Sequence, residues 1–396
     1  MTKAENKKHF KLPFHVVKRL DISKRNYWII KTVGFLVALL LAGVLCTIFA
    51  PGTFVTFYTS MFRGIFNPND PEILLEAIET AGLLLLIAFA LAPAFKMRFW
   101  NIGAEGQISI GCLVTAGITR FMADGTNDTA VIIVCLISAI AAGIVWAVIP
   151  AIFKAIFNTN ETLFTLMMNY VAIGLISLFI SIWVTSGSQS FPLLTQGNLP
   201  KLGYKYIFNI IFVVIVSIIM IIYLKKTKHG YELSVVGASV NTAKYVGINV
   251  RKVIIRTMIL SGAICGLVGF LLVSGHHHTL SANLAGGRGF TGVLIAWLGK
   301  FEPGAMILYA VLVAIFQRGS TKAASYVGIN KSEFSAIVTG IFFLIVIATE
   351  FFANYKILFD EESKTKHLID KFLGLFKKKE KIEQVPEQTN ESKEDK

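Results

Sequence analysis

Of the 396 residues 54% are apolar and only 16% are charged, with a mean hydropathy of +0.65, a balance that excludes an ordinary water-soluble domain. The formal net charge of +14 raises a nucleic-acid surface as the alternative. Nine Lys or Arg in the first 31 residues, and seven more in 225–256 against Glu232, border apolar runs instead; that is the pattern of cytoplasmic loops, and no nucleic-acid role is expected.

Taken in chain order, residues 1–28 form a basic arm on the cytoplasmic side, suited to anionic lipid. The first apolar run, 29–50, is long enough to span rather than to be cleaved as a signal, and Pro51-Gly52 ends it. Residues 53–76 lean acidic, carry the turn cluster Asn67-Pro68-Asn69-Asp70-Pro71, and read as an outside loop. Spans follow at 77–95, 102–121, 130–153 and 162–184, with Lys96, Arg98 and Lys154 marking the inside. An irregular outside loop, 185–206, leads to a span at 207–224 and then to the long polar stretch 225–253. A span at 254–275 precedes a segment rich in His, Gly and Asn. The next apolar piece, 290–298, is too short to cross, and Gly299 and Pro303 separate it from a second piece, 304–317. Broken pairs of this kind line cavities within protein, because irregular backbone facing lipid is too costly. The last span is 334–353, followed by a charged tail, 354–396, whose end (377–396) is expected to be disordered. Lipid offers the backbone no hydrogen bonds, and no run alternates with period two, so the spans are helices. The result is an all-α integral membrane protein with its membrane domain at 29–353. Counting the broken pair as two passes gives ten, with both termini inside.

Cys46, Cys112, Cys135 and Cys265 all lie in apolar runs without metal-type spacing and read as small packing residues. No phosphate-binding loop occurs, since Gly299-Lys300 is followed by Phe301, and no zinc-hydrolase or serine-hydrolase motif is present. The chain is not expected to be an enzyme or to hold a cofactor. Consecutive histidines diverge on any regular backbone, so His276-His277-His278 reads as a solvated outer loop and no metal is expected.

Polar groups at membrane depth are more informative. The segment Asn101-Ile102-Gly103-Ala104-Glu105-Gly106-Gln107 sets a carboxylate and two amides at the edge of a span. Glu105 suits the positive end of a helix or a pair with Lys96 or Arg98, and direct contact with a solute is the second reading. Asn169, inside its span, either bonds a neighbouring helix or lines a polar path. Asn101, Glu105, Gln107, Asn169 and Phe290 are therefore the candidates for a solute pathway. Gly262, Gly266 and Gly269 form a small-residue stripe for close helix packing. In 225–253 a short helix from Ser239 to Val246, bracketed by Gly237 and Gly247, mixes small, apolar and aromatic residues, a surface for docking more than for solvation.

N-I-G-A-E-G-Q at 101–107, E-T-L-F-T-L-M-M-N-Y at 161–170, G-A-S-V-N-T-A-K-Y-V-G-I at 237–248, S-G-A-I-C-G-L-V-G at 261–269 and G-R-G-F at 287–290 occur in that order. Together they resemble the permeases of bacterial ABC importers for nucleosides and simple sugars, related to ribose and branched-chain amino-acid permeases. The resemblance covers about 30–353 and departs at Thr242-Ala243, where the family pattern has Ala-Ala. It implies a ten-helix permease of the type II-like importer kind. It also implies a coupling element formed by Gly237, Asn241, Ala243, Tyr245 and Gly247, a second and different permease as partner, a double-length ATPase that binds ATP and Mg, and a substrate-binding lipoprotein. An ion-coupled secondary transporter is the alternative; it favours acids in several spans, of which only Glu105 stands out.

Overall fold

The computed structural model describes residues 14–19, 23–49, 53–67, 70–122, 127–184, 187–328 and 331–359. The chain divides into two compact units, Met1–Leu40 with Leu344–Lys396, and Leu41–Phe343.

In the first unit, strand β1 (Phe14–Lys18) pairs antiparallel with β2 (Tyr355–Phe359), from Phe14↔Phe359 to Lys18↔Tyr355. Both strands are rich in aromatic and branched residues that favour extended pairing, so a short ladder forms within segments otherwise legible as basic arm and charged tail. The Arg19 N–H extends the ladder by donating to Asn354 O at 2.8 Å. The opening turns of α1 (Lys24–Phe49) and the closing turns of α13 (Lys331–Asn354) complete the unit. Lys31 and Glu350 form an ion pair there, and the Glu350 carboxylate also accepts from Asn354 Nδ2 at 2.9 Å. The stretch 377–396 lies outside the described residues.

The second unit holds the rest of α1 and α13 together with α2 (Phe54–Arg63), α3 (Pro71–Lys96), α4 (Ala104–Met122), α5 (Asp128–Phe157), α6 (Glu161–Trp183) and α7 (Ile207–Lys226). It continues with α8 (Lys228–Ala238), α9 (Val240–Tyr245), α10 (Val250–Phe270), a π-helical turn (Leu271–His277), α11 (Arg288–Leu298) and α12 (Pro303–Val327). Among the described residues eight helices are long and apolar enough to cross a membrane: α1, α3, α5, α6, α7, α10 with its π turn, α12 and α13. The protein is a multi-pass helical membrane protein. Helix α4 has 19 residues but carries Glu105, Gln107 and Arg120, and the 11 residues of α11 rise about 16 Å, half of the ~30 Å hydrocarbon core. Against an expectation of ten passes, the structure therefore has eight long apolar helices, the polar-edged α4 and one half-helix.

Three boundaries differ from the sequence reading. Residues 54–63 are helical, because α2 has an apolar face that buries Met61 against Gly319 of α12 and Phe57 against Phe334 of α13. Helix α3 begins at Pro71, capped by the Asp70 side chain, so Glu72 and Glu76 belong to a helix and not to the preceding loop. Helix α12 runs past residue 317, because Arg318 is paired with Glu76 of α3 and its charge no longer ends the span.

Helices α3 and α10 are mostly buried, whereas α5, α6 and α7 leave most of their length exposed, with Ile137, Val145, Leu178, Ile215 and Ile218 on the surface. Water would not tolerate that apolar periphery, but lipid does. The tightest packing sets α10 against α5 and α4. A Cβ on Gly269 would fall 2.5 Å from Ile108 O and 2.7 Å from Cys112 N, and Gly262 and Gly266 lie directly on the backbones of Gly143 and Ala139. Gly266→Ala is expected to destabilise the protein by about 1–3 kcal/mol through overpacking, read as a lower melting temperature of the purified protein; an unchanged value would contradict this packing.

Candidate functional site

The start of α4 is held by Asn101 just before it and by side chains from two other helices, α10 and α6. The chain leaves α3 at Met97, and Arg98 takes a left-handed turn (φ 61). Asn101 is fully buried; its Oδ1 accepts from the Gly103 N–H at 3.0 Å and its Nδ2 donates to Ser261 Oγ on α10 at 3.0 Å. Ser261 donates in turn to Gln107 Oε1 at 3.3 Å. From α6, Thr165 Oγ1 accepts from the Ile102 N–H at 3.2 Å. Asn169 Oδ1 accepts from the Gly106 N–H at 2.8 Å while its Nδ2 donates to Ile102 O at 2.9 Å. A helix start leaves its first N–H groups without intrahelical partners. Here they are buried inside the bundle, and Asn101, Thr165 and Asn169 supply the acceptors.

Glu105 does the same for the next element. Its Oε1 accepts from the Gly287 N–H at 2.8 Å and its Oε2 from the Gly289 N–H at 2.7 Å. These are the first amides of α11, so a buried carboxylate closes the positive end of a half-helix. The glycines are required: Gly287 has φ 75, and a Cβ on Gly289 would run into the Glu105 backbone. Between them Arg288 turns back to donate to Leu284 O at 3.1 Å. Gly292 packs over Ile87 of α3, and past the far end of α11 Phe301 meets Phe95 with ring centroids 6.0 Å apart. Helix α11 therefore runs from the level of Glu105 to the end of the bundle where α3 finishes. Phe290, one residue beyond the clamped Gly289, is 42% exposed, whereas Asn101, Glu105, Gln107 and Asn169 are all buried.

A second buried carboxylate lies toward the opposite end. Glu79 of α3 is fully buried, accepts from Asn209 Nδ2 on α7 at 2.6 Å, and shares a hydrogen bond with His276 Nδ1 at 2.7 Å. His276 belongs to the π-helical turn, so the triple histidine is not a solvated loop: its first member is drawn inward by an acid. Tyr206, before α7, is held left-handed (φ 71) with its ring 5.2 Å from that of His276. Burial, together with Glu76 and Glu79 nearby, pushes its phenol up to about 12. The loop between α6 and α7 lies along this region through Leu194 N to His278 O (2.8 Å) and Leu199 N to Ser274 O (2.9 Å). Sequence reasoning singled out none of Glu79, Asn209, Arg288 or Arg318. The available signal was an ionisable or amide group inside an apolar stretch.

At the end of the bundle where α3 and α7 finish, α8 and α9 form a helical corner. Arg256 of α10 binds Glu232 of α8 at 2.9 Å. Gly237 sits on the carbonyl of Lys96, leaving no space for a side chain, and Ala243 is fully buried beneath α9. Ser239 caps α9 by accepting from the Thr242 N–H at 3.2 Å, and Gly247 (φ 83) makes the turn out of it. The outer face of α9 is left bare: Asn241 is exposed, Tyr245 is 91% exposed, and Val246 stands beside it.

Residues 73–347 match the model of the family described as branched-chain amino acid transport system / permease component. The chain belongs to this permease family. The permease is 31% identical to the guanosine ABC transporter permease NupP of Bacillus subtilis over 324 residues, covering 78% of this chain and 90% of that one. It is 26% identical to the nucleoside ABC transporter permease NupB of Lactococcus lactis, over 69% of this chain and 78% of that one. With the glucose ABC transporter permease TsgB13 of Haloferax volcanii it shares 26% identity, over 72% of this chain and 78% of the relative. Two further permeases named with these systems, NupQ and NupC, match at 26% identity each. The permease is thus a membrane subunit of an ABC transporter and not itself an enzyme, which decides against the ion-coupled alternative.

Proposed function

We propose that this permease forms, with a second and different permease, the membrane path of an importer that carries a nucleoside across the cytoplasmic membrane of a bacterium. The observation that carries this reading is the likeness, over most of both chains, to a guanosine permease. The paired nucleoside permeases of Bacillus subtilis and Lactococcus lactis support two unlike permeases in one complex. ATP and Mg belong to a double-length ATPase on the cytoplasmic side, and a lipid-anchored binding protein delivers the nucleoside from outside. The basic clusters next to α1 and α8 support a cytoplasmic position for both termini and for the α8–α9 corner.

On this reading α9 is the coupling helix. Gly237 and Ala243 seat it on the bundle, Gly247 turns the chain away, and Asn241 and Tyr245 meet the ATPase. Closure of the ATPase moves α9 and, through α8 and α3, the half-helix α11. Among the pathway candidates Phe290 carries the exposed surface, while Asn101, Glu105, Gln107 and Asn169 hold the helix starts behind it. Uptake of radiolabelled guanosine by cells with and without this gene tests the solute. The expected result is loss of uptake on deletion, and competition in the intact strain by other nucleosides but not by glucose or riboflavin. Undiminished guanosine uptake in the deletion strain, or competition by glucose, would overturn it.

A further inference from the structure

A cleft of about 370 Å³ opens beside the π-helical turn, lined by Asn198, Lys201, Tyr206, Asn209, His276 and His278 among others. Its volume lies within the roughly 300–1,000 Å³ range of small-molecule sites. Three of its lining side chains carry buried polar atoms with no hydrogen-bond partner: Asn198 Oδ1, Asn209 Oδ1 and His278 Nδ1. Buried polar atoms are ordinarily satisfied, and an unsatisfied one costs about 1–3 kcal/mol. Asn209 is the deepest of the three, 1% exposed. Its Nδ2 is committed to Glu79, so its Oδ1 is left as an acceptor. Gly275 makes room for that carboxamide, since a Cβ there would collide with it.

We infer that this cleft is a nucleoside-binding subsite of the permease, distinct from the residues around Glu105; the inference rests on the nucleoside reading above. Two amide oxygens call for N–H or O–H donors, which a nucleobase edge and a ribose both present. The rings of Tyr206 and His276, tilted 34° to each other, provide aromatic surface for the base. Glu79, fully buried behind Asn209, opposes any anionic group at the floor of the cleft. At the rim Lys205 is engaged by Glu72 at 3.6 Å and Lys201 also lines the cleft, both on the surface, so the buried acid at the floor sets the preference. The preferred ligand is therefore an uncharged nucleoside and not a nucleotide.

The four native cysteines are all buried, so a single introduced thiol reports on the cleft. Pro200→Cys, which lines the cleft and carries none of its recognition atoms, is labelled in the full permease in intact cells with a membrane-impermeant maleimide, with Leu193→Cys, which is highly exposed and does not line the cleft, as the control. Guanosine is expected to slow labelling at position 200 by about fivefold or more at saturation, with no effect at 193, and guanosine 5′-monophosphate and glucose are expected to do nothing. In parallel, His278→Ala is expected to raise the KM for guanosine uptake while leaving the amount of protein in the membrane unchanged. Normal guanosine uptake with no protection at 200 and an unchanged KM in the His278 variant would overturn the subsite and leave the transport reading intact. Protection by glucose and not by guanosine, in cells that fail to take up guanosine, would overturn the nucleoside class itself.

Discussion

Replacing Glu105 by Ala is expected to lower the melting temperature of the purified permease sharply, and Glu105→Gln to lower it about half as far. The carboxylate accepts from the Gly287 and Gly289 amides at 2.8 and 2.7 Å in a buried setting. Removing it leaves both donors unsatisfied at about 1–3 kcal/mol each, a total of roughly 2–6 kcal/mol. A carboxamide keeps one acceptor and turns a donor toward the other amide, so the Gln variant retains one of the two bonds. The loss falls on the start of α11, and the expected transport phenotype is a reduced maximal rate with little change in KM. A Glu105 variant that melts like the wild type but has a much higher KM would show that the carboxylate meets the solute instead of the half-helix.

Tyr245→Ala is expected to have the opposite profile. The side chain is 91% exposed at the end of α9 and supports no packing in the permease, so melting is expected to stay within error of wild type. If α9 docks on the ATPase, an exposed tyrosine at its tip is an anchor residue. Truncating such an anchor costs about 2 kcal/mol or more of association, roughly 30-fold in the strength of docking. ATP-driven uptake is expected to collapse while insertion and solute protection at the cleft persist. Wild-type uptake by this variant would remove α9 from the coupling path.

Helices such as α5, α6 and α7 were legible in the sequence because lipid demands a nearly uninterrupted apolar run, and nothing in their interiors competes with that demand. The short α9 was legible for a different reason: Gly237 and Gly247 bracket it in the sequence, although Gly237 ends up inside α8 and the break falls at Ser239. What escaped was set by partners distant in the chain. Glu76 looked like the end of a polar loop because its partner Arg318 comes 242 residues later, and Glu79 passed unremarked inside its span because His276 comes 197 residues later. The same cause hid the length of α12. Residues 54–63 lie between two turn clusters and are too short to signal a helix alone; α2 exists because α12 covers its apolar side. Asn101, Gln107 and Asn169 were visible as polar groups in spans. Whether they bond helices or solute could not be read from spacing, since Ser261 lies 160 residues from Asn101 and Asn169 lies 63 residues from Gly106.

The most direct test of the central claim is solute accumulation in proteoliposomes holding the purified permease with its partner permease, ATPase and binding protein. ATP and Mg on the ATPase side are expected to drive guanosine across the membrane against its gradient, with no uptake from a non-hydrolysable ATP analogue or from a sodium or proton gradient. Cation-driven guanosine uptake by this chain alone, without the ATPase, would contradict the account.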